Sequence, residues 1–304
     1  MRRTSSPTVL AAVLLAAPLA LSACAGARPP PVEVLSFLEV QADGASFRVV
    51  YGPADVKEAR QVARALGRAA PRAQRFARLS SPVTLTVHPG HDALERAVDR
   101  PGFAWLLAWA RARTVDLQSP RTWGRGLWRF SGATDAEVEE LLVHELTHCA
   151  MFQAAGGEGT WVLLEVPRWF EEGMASVAAE QGYRRATLAE LRRHWRAQDE
   201  RHAGLGDGWA LRPSEREPER GREGDPLLDP DPIYRERADL VYGAAHHAFA
   251  ALVARHGDGA VREVITRLAA GEGFAQAFRA AMGERPDAFA EAFRAEVVAG
   301  GGQP

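Results

Sequence analysis

Two histidines and a glutamate stand close together in the run Val143-His144-Glu145-Leu146-Thr147-His148, which lies late in an apolar segment with helical periodicity. On an α-helix, residues four apart lie on nearly the same face, about 6 Å apart along the axis. His144 and His148 can therefore bind one metal ion, typically zinc, from the same side. Glu145 is turned about 100° around the helix, where it can hold a water molecule as a general base. A solvated helix face with two incidental histidines would show the same pattern. The rest of the chain must therefore decide between a metal site and such a face.

A third ligand is available in the run Pro167–Ala175, which contains two adjacent glutamates. A catalytic zinc usually takes three protein ligands and leaves one position open. Glutamates at the start of a helix can also stabilise its positive end, and that role accounts for Glu171. Glu172 differs because its helix face continues with small residues that would let this helix lie close to the His144 helix. Those residues are Ala175, Ser176 and Ala179.

The two motifs together, H-E-L-T-H and then W-F-E-E-G-M-A after 20 residues, resemble those of the gluzincins. These are zinc metallopeptidases with two histidines and one glutamate as ligands. The chain is most similar to the peptidase MA-like group, which includes membrane alanyl aminopeptidases with a W-L-N-E-G-F-A segment. The resemblance implies that Zn²⁺ is held by His144, His148 and Glu172, with Glu171 at a variable position. The gap between the motifs is a few residues longer than in the aminopeptidases, and the glycine-rich link Gly156–Gly159 would absorb the difference.

A segment farther along, Val241–Gly257, resembles the aminopeptidase segment that begins Tyr-Glu-Lys-Gly. By this resemblance, Tyr242 would stabilise the tetrahedral oxyanion. The alternative is a tyrosine that anchors the start of a helix. His246, one turn further on, is a second candidate for the oxyanion role, and His247 is expected on the surface.

One aminopeptidase element is missing upstream of His144. Nothing there matches the Gly-x-Met-Glu-Asn element that holds a substrate's free amine in that family, and a predicted strand, 108–118, occupies the comparable region. An endopeptidase is therefore favoured, acting on a peptide or protein substrate. The arginines on one face of this strand indicate a sheet edge, which could bind an extended peptide by strand pairing.

The N-terminus carries the pattern of a bacterial lipoprotein. Residues 1–23 combine two arginines with an apolar stretch too short to be a comfortable membrane span, and they lead into Leu21-Ser22-Ala23-Cys24. This tetrad resembles a lipobox, in which Cys24 becomes the lipidated first residue. An ordinary signal peptide is the alternative. Residues 24–33 are proline-rich and predict a stiff tether. The resemblance implies a membrane partner through the N-terminal lipid and a location in the envelope, at the outer membrane and facing the periplasm.

Composition excludes some functions. The 304 residues include 37 basic and 39 acidic ones, a balance that gives no electrostatic case for nucleic-acid binding. Cys149 is the single cysteine beyond Cys24, so no internal disulfide is available, and it is expected to pack as a small hydrophobe. Oligomeric state is left undetermined by the sequence.

The element pattern predicts an α+β fold in one peptidase domain, 34–304. Strands are expected at 46–51, 83–87 and 108–118, and a helix at 54–79 that Pro71 should break or kink. These form a sheet subdomain, about 34–132. The metal-site and helical subdomain, about 133–300, begins with a capping box at Thr134 and Glu137. Further helices are predicted at 168–181, 188–200, 238–256, 260–269, 273–282 and 287–298, with a charged surface loop at 201–235 that is either a lid or a simple insertion.

The sequence therefore predicts an envelope-anchored zinc metallopeptidase with Glu145 as its general base. Two alternatives stay open. One is a non-catalytic gluzincin-like lipoprotein that serves as a binding or assembly factor. The other is a hydrolase of cell-wall peptides.

Overall fold

Strands and helices alternate in the first part of the chain, and helices follow exclusively after residue 134 in the part that the structure describes. This computed structural model describes residues 35–124, 132–204 and 224–300. The elements are β1 (Ser36–Ala42), β2 (Ala45–Tyr51), α1 (Val56–Ala73), β3 (Val83–His88), α2 (His91–Val98), β4 (Ala108–Ala110), β5 (Thr114–Gln118), α3 (Asp135–Ala154), α4 (Glu158–Leu163), α5 (Arg168–Ala178), α6 (Leu188–Gly204), α7 (Asp231–Tyr234), α8 (Ala238–Ala269), α9 (Phe274–Met282) and α10 (Pro286–Ala299).

The architecture is α+β, with one five-stranded mixed sheet in the order β1-β2-β3-β5-β4. The β1–β2 hairpin turns at Asp43 and Gly44, which both have positive φ, as a two-residue hairpin turn requires. Parallel pairing joins β2 to β3 and β3 to β5. The short strand β4 pairs antiparallel with β5 and forms an edge of the sheet.

One face of the sheet is buried beneath α1 and α3. Alternate residues of the central strands, such as Phe47, Leu85 and Leu117, are at most 1% exposed, and they belong to one apolar cluster with Leu66 of α1 and Leu142 of α3. Burying such side chains supplies the main driving force for this packing, at about 25 cal/mol per Å² of apolar surface. The sheet thereby fixes α3, the helix that carries the histidines.

Helix α5 lies very close to α8. A Cβ atom added to Gly173 would stand 2.5 Å from the carbonyl oxygen of Ala245 and 2.6 Å from Cβ of Phe249. Only glycine permits this approach. Ser176, one turn along α5, hydrogen-bonds with His246 of α8. Ser176, which the sequence analysis expected to ease contact with the histidine helix, therefore serves the contact with α8, together with Gly173.

The predicted strand at 108–118 is wrong in one respect, because it is a hairpin of β4 and β5. A hydrogen bond from the backbone N–H of Arg111 to the carbonyl of Thr114 closes the turn. The alternating pattern continues through both strands, and the turn contains neither glycine nor proline to mark it. The turn is tied to α3, since Cys149 Sγ donates to the Arg111 carbonyl and Gln153 donates to the Ala112 carbonyl.

Other boundaries also differ from the prediction. Helix α1 ends at Ala73, two residues beyond Pro71, because a proline in the last turn removes only one helical hydrogen bond. The short helix α4 begins within the glycine-rich link. Helix α5 ends at Ala178, before the predicted end at residue 181. Strand β1 and helix α2 were not predicted, and Gly257 marks a kink where the two predicted helices meet in α8.

Some sequence predictions concern residues outside the described ranges. These are the signal segment, Cys24, the tether at 24–33, Trp128 and most of the charged loop. No described helix is both long enough and apolar enough to cross a membrane.

Candidate metal centre

The histidine helix begins with the predicted capping box, which is confirmed. The hydroxyl of Thr134 accepts a hydrogen bond from the backbone N–H of Glu137, whose carboxylate accepts the N–H of Thr134 in return. Farther along, α3 is buried on all sides, with Val143 and Leu146 fully inaccessible to solvent. This packing leaves the side chains of the motif little freedom to rotate away from the site.

Three side chains converge on one point between α3 and α5. The Nε2 atoms of His144 and His148 lie 3.2 Å apart, and Oε2 of Glu172 lies 3.3 Å from the first and 3.5 Å from the second. Tetrahedral zinc with bonds of roughly 2.0–2.1 Å requires donor atoms about 3.3–3.4 Å apart. The triangle therefore has the dimensions of one face of a zinc tetrahedron.

One buried oxygen of the triangle lacks the hydrogen-bond donor that a folded protein normally supplies. Glu172 is 7% exposed, and its Oε2 makes no hydrogen bond among the described residues. A buried carboxylate oxygen without a donor is costly unless a cation satisfies it. Together, His144, His148 and Glu172 are the group that could hold a metal ion, and two imidazoles with one carboxylate are the donor set of catalytic Zn²⁺.

The adjacent glutamates occupy different places. Oε1 of Glu171 lies 3.7 Å from Nδ1 of His148, on the side of the ring away from the triangle, and its Oε2 accepts a hydrogen bond from Trp161. Metal-binding histidines usually direct their second nitrogen at such an outer group, which orients the ring. The geometry thus places Glu172 in the triangle with the two Nε2 atoms and Glu171 behind His148.

Electrostatic coupling within the triangle is strong. Burial lowers the pKa of His144 to about 4. Burial also opposes charge on His148, but the close approach of Glu172 outweighs it and raises the pKa of His148 to about 9. The pKa of Glu172 lies well below its usual range because the two imidazoles outweigh the effect of burial. The site therefore favours a positive charge, held by a proton on His148 when no metal is bound.

Glu145 projects toward the edge strand, as its helical position requires. Burial raises the pKa of Glu145 to about 7, and the nearby backbone N–H of Ala110 in β4 opposes this as a smaller effect. A carboxyl group with a pKa near neutrality can both accept and return a proton. Glu145 lines the same cleft as the three side chains of the triangle.

Tyr242 enters the cleft from α8, and a second tyrosine accompanies it. The ring of Tyr242 lies 6.1 Å from that of His144, and its hydroxyl is 3.0 Å from the hydroxyl of Tyr234. Burial raises the pKa of both hydroxyls, so each keeps its proton at neutral pH. Tyr234 belongs to α7, inside the region predicted as a charged surface loop. No periodic pattern surrounds Tyr234, so its place in the cleft could not be predicted from the sequence.

The two histidines that follow Tyr242 do not line the cleft. His246 makes a 3.0 Å hydrogen bond with Ser176, and a Cβ atom at Gly182 would lie 2.5 Å from its Nε2. The expectation that His247 lies on the surface is wrong, because it is half-buried and hydrogen-bonds to the carbonyl of Ala186 at 3.0 Å. Both histidines hold the segment 181–186 against α8.

The cleft around the triangle holds a volume of about 390 Å³, within the range of roughly 300–1,000 Å³ found for ligand sites. Its walls combine carboxylates with aromatic rings and two arginines. Trp123 lies in this wall and donates its indole N–H to the carbonyl of Gln118. Trp105, Arg168 and Arg185 also line the cleft.

Comparison with known proteins gives limited matches. No protein-family profile and no curated protein matches the chain. Among solved structures, an M1 zinc metallopeptidase from Deinococcus radiodurans is 16% identical, with a TM-score of 0.41 over 89% of this chain and 53% of that one. A mutant of that metallopeptidase gives a TM-score of 0.42 at 15% identity, again over 89% of this chain and 53% of that one. Another, bound to a Tyr-Ser-Ala substrate, gives 0.39 at 17% identity over 89% and 52%.

The chain spans about half the length of these solved structures. At these identities and TM-scores the likeness supports no conclusion about this chain. Its proposed function therefore depends on the geometry of the site.

Proposed function

We propose that the protein is a zinc metallopeptidase whose metal is held by His144, His148 and Glu172. The observation that carries this proposal is the triangle of donor atoms, 3.2–3.5 Å on each side, at the floor of an open cleft. When bound, zinc lowers the pKa of a water molecule toward neutrality and polarises a carbonyl group. A site with three protein ligands leaves room for that chemistry, whereas a structural zinc site is closed by a fourth ligand.

Glu145 is the general base of this proposal. Its pKa of about 7 allows it to take a proton from the attacking water and later to deliver that proton to the leaving amine. The carboxylate lies near the backbone N–H of Ala110 in the edge strand. A site that only bound metal would have no need of a carboxylate with this pKa in this position.

Tyr242 donates a hydrogen bond to the oxyanion that forms as water attacks the substrate carbonyl. It can do so because burial keeps its hydroxyl protonated. Between Tyr234 and Tyr242 one hydroxyl donates to the other. When Tyr234 donates its proton to the hydroxyl oxygen of Tyr242, the proton of Tyr242 is free to point into the cleft. Tyr234 therefore orients Tyr242.

An extended peptide would bind along β4. This strand is at an edge of the sheet, lines the cleft and lies beside Glu145, so its outer backbone groups can pair with a substrate. Pairing along a strand needs no free substrate terminus. Together with the missing amine-binding motif upstream of His144, this arrangement supports an endopeptidase.

The lipobox supports an envelope location, with Cys24 as the lipidated residue and the outer membrane as the anchoring surface. The proline-rich residues 24–33 would separate the peptidase from that surface. Labelling of cells with a radioactive fatty acid tests this part. Incorporation that is lost in Cys24→Ser supports a lipid anchor, and equal labelling of both proteins contradicts it.

The decisive test of activity compares the zinc-loaded protein with Glu145→Gln. We expect the wild-type protein to cleave unfolded casein and Glu145→Gln to retain zinc but lose at least about 100-fold in rate. Undiminished cleavage by Glu145→Gln would remove Glu145 from the mechanism. Bound zinc without cleavage of any peptide library would instead support a binding or assembly factor. Release of peptides from purified peptidoglycan, with casein untouched, would identify a cell-wall hydrolase.

A further inference from the structure

Two arginines line the cleft, and their charges are balanced differently. Arg168 donates to Asp231 Oδ1 at 2.9 Å, which gives it an acidic partner. Arg185 donates to the side-chain oxygen of Gln181, a neutral amide. Within the described ranges, no carboxylate lies at ion-pair distance from Arg185, and its Nε is buried without a hydrogen-bond partner. Arg185 is thus a cation of the cleft without an ion-pair partner among the described residues.

The guanidinium of Arg185 has a fixed position. It lies over the ring of Tyr242 at 4.5 Å from the centroid, as cations commonly do on aromatic faces. The neighbouring residue, Ala186, is clamped to α8, since its carbonyl accepts from His247 and its atoms lie 2.8–2.9 Å from where a Cβ of Gly243 would be. Gln181 is buried, and its side-chain oxygen accepts a hydrogen bond from the guanidinium.

This position is beside the reacting groups. Arg185 lines the same cleft as Glu145 and Glu172, and its guanidinium lies over the ring of Tyr242. A guanidinium presents a planar fork of N–H groups that matches a carboxylate with two parallel hydrogen bonds. A substrate carboxylate would supply the ion-pair partner that Arg185 lacks among the described residues.

We propose that Arg185 binds a carboxylate of the substrate and makes the cleft selective for acidic peptides. This inference rests on the proposed function, because it concerns the same cleft. The carboxylate can come from a Glu or Asp side chain within a peptide or from a free C-terminus. The side chain is the source consistent with cleavage inside a chain.

The test measures binding, so it does not depend on turnover. The zinc-loaded full chain carrying Glu145→Gln is titrated with capped hexapeptides of one neutral sequence in which Glu replaces Gln at each position in turn. One further peptide keeps the neutral sequence and has a free C-terminal carboxylate. Trp105 and Trp123 line the cleft, so tryptophan fluorescence reports occupancy, with calorimetry as a second measurement.

We expect at least one acidic peptide to bind about 10–100-fold more tightly than its neutral counterpart. Adding Arg185→Gln should abolish this preference and change the Kd of the neutral peptide by less than about threefold. Adding Arg185→Lys should leave a smaller preference, because a point charge replaces the fork. The matched variant Arg168→Gln should keep the full preference, since Arg168 is already paired with Asp231.

Three results would overturn the proposal. They are equal affinity for all peptides in the wild-type background, a preference that survives Arg185→Gln, and an equal loss for acidic and neutral peptides, which indicates a structural role. Hydrolysis of the same peptides by the wild-type protein is measured separately. A preference without hydrolysis contradicts the peptidase proposal alone, and hydrolysis without a preference contradicts the role of Arg185 alone.

Discussion

The phenolic oxygens of Tyr234 and Tyr242 lie 3.0 Å apart, and this hydrogen bond joins a short helix in a charged region to the long helix α8. Trp105 packs against both rings, with centroid distances of 5.2 and 5.7 Å. The pair is therefore held by an aromatic wall as well as by the bond between the hydroxyl groups. Its arrangement leads to the first prediction.

Replacing either tyrosine with phenylalanine should reduce kcat by different amounts. We expect Tyr242→Phe to lower kcat by about 10²–10³, the usual cost of losing one oxyanion donor, with little change in KM. Tyr234→Phe should lower kcat by about tenfold, because it removes only the group that orients Tyr242. Steady-state kinetics at matched zinc content checks both values. A larger loss for Tyr234→Phe would exchange the two roles.

The adjacent glutamates should differ in their effect on metal binding. Glu172→Gln removes a ligand from the triangle and should abolish stoichiometric zinc after dialysis. Glu171→Gln alters only the group behind His148 and should weaken zinc binding by at most about 10–100-fold. Chelator competition and metal analysis measure both proteins. Retention of tight zinc by Glu172→Gln, together with its loss in Glu171→Gln, would reverse the ligand assignment.

Gly173 should tolerate no side chain. The Cβ of Gly173→Ala would lie 2.5 Å from the Ala245 carbonyl oxygen, so α5 and α8 must separate, at a cost of about 1–3 kcal/mol in the free energy of unfolding. Glu172 precedes this position, so zinc affinity should fall as well. Urea unfolding of the metal-free protein and chelator competition measure the two effects.

Gly67→Ala is the matched control, because this exposed position inside α1 has nothing within 4 Å of an added Cβ. It should stabilise the protein by about 0.5–1 kcal/mol through helix propensity. Similar destabilisation by both substitutions would contradict a specific helix contact at Gly173.

Acid should destabilise the protein partly through His246. Burial, with the nearby charges of His247 and Arg185, lowers the pKa of His246 to about 4 in the folded protein, whereas an unfolded histidine titrates near about 6.5. Between these values the unfolded chain binds more protons, so stability must fall as the pH falls. The loss should be about 2 kcal/mol, because solvent screens this half-buried group in part.

His246→Asn isolates this contribution, because the variant cannot titrate there. Urea unfolding of both proteins at pH 7 and pH 4.5 gives the difference. We expect the wild-type protein to lose more stability than the variant over this interval. Equal losses would show that His246 is not held in its neutral form by its contacts with Ser176 and Gly182.

Local patterns allowed much of the fold to be predicted. The capping box at Thr134, the Asp43–Gly44 turn and most of the helices depend on nearest neighbours in sequence, which is why they could be recognised. The split of one predicted strand into β4 and β5 could not, because an alternating pattern is the same on both sides of a turn. The contacts of the turn with α3 decide whether the chain continues as one strand or folds back as a hairpin.

The sequence by itself determined that His144, Glu145 and His148 share a helical arrangement suited to metal chemistry, since a spacing of four residues sets their relative direction. The tertiary structure decided which carboxylate completes the triangle. Glu171 and Glu172 are adjacent residues of the same type, and the packing of α5 against α8 determines the direction of each side chain. It also brought Tyr234 and Arg185 into the cleft from segments without any periodic signal. Side chains that meet through packing over long sequence separations leave no local pattern, and here these contacts determine how the site could act on a substrate.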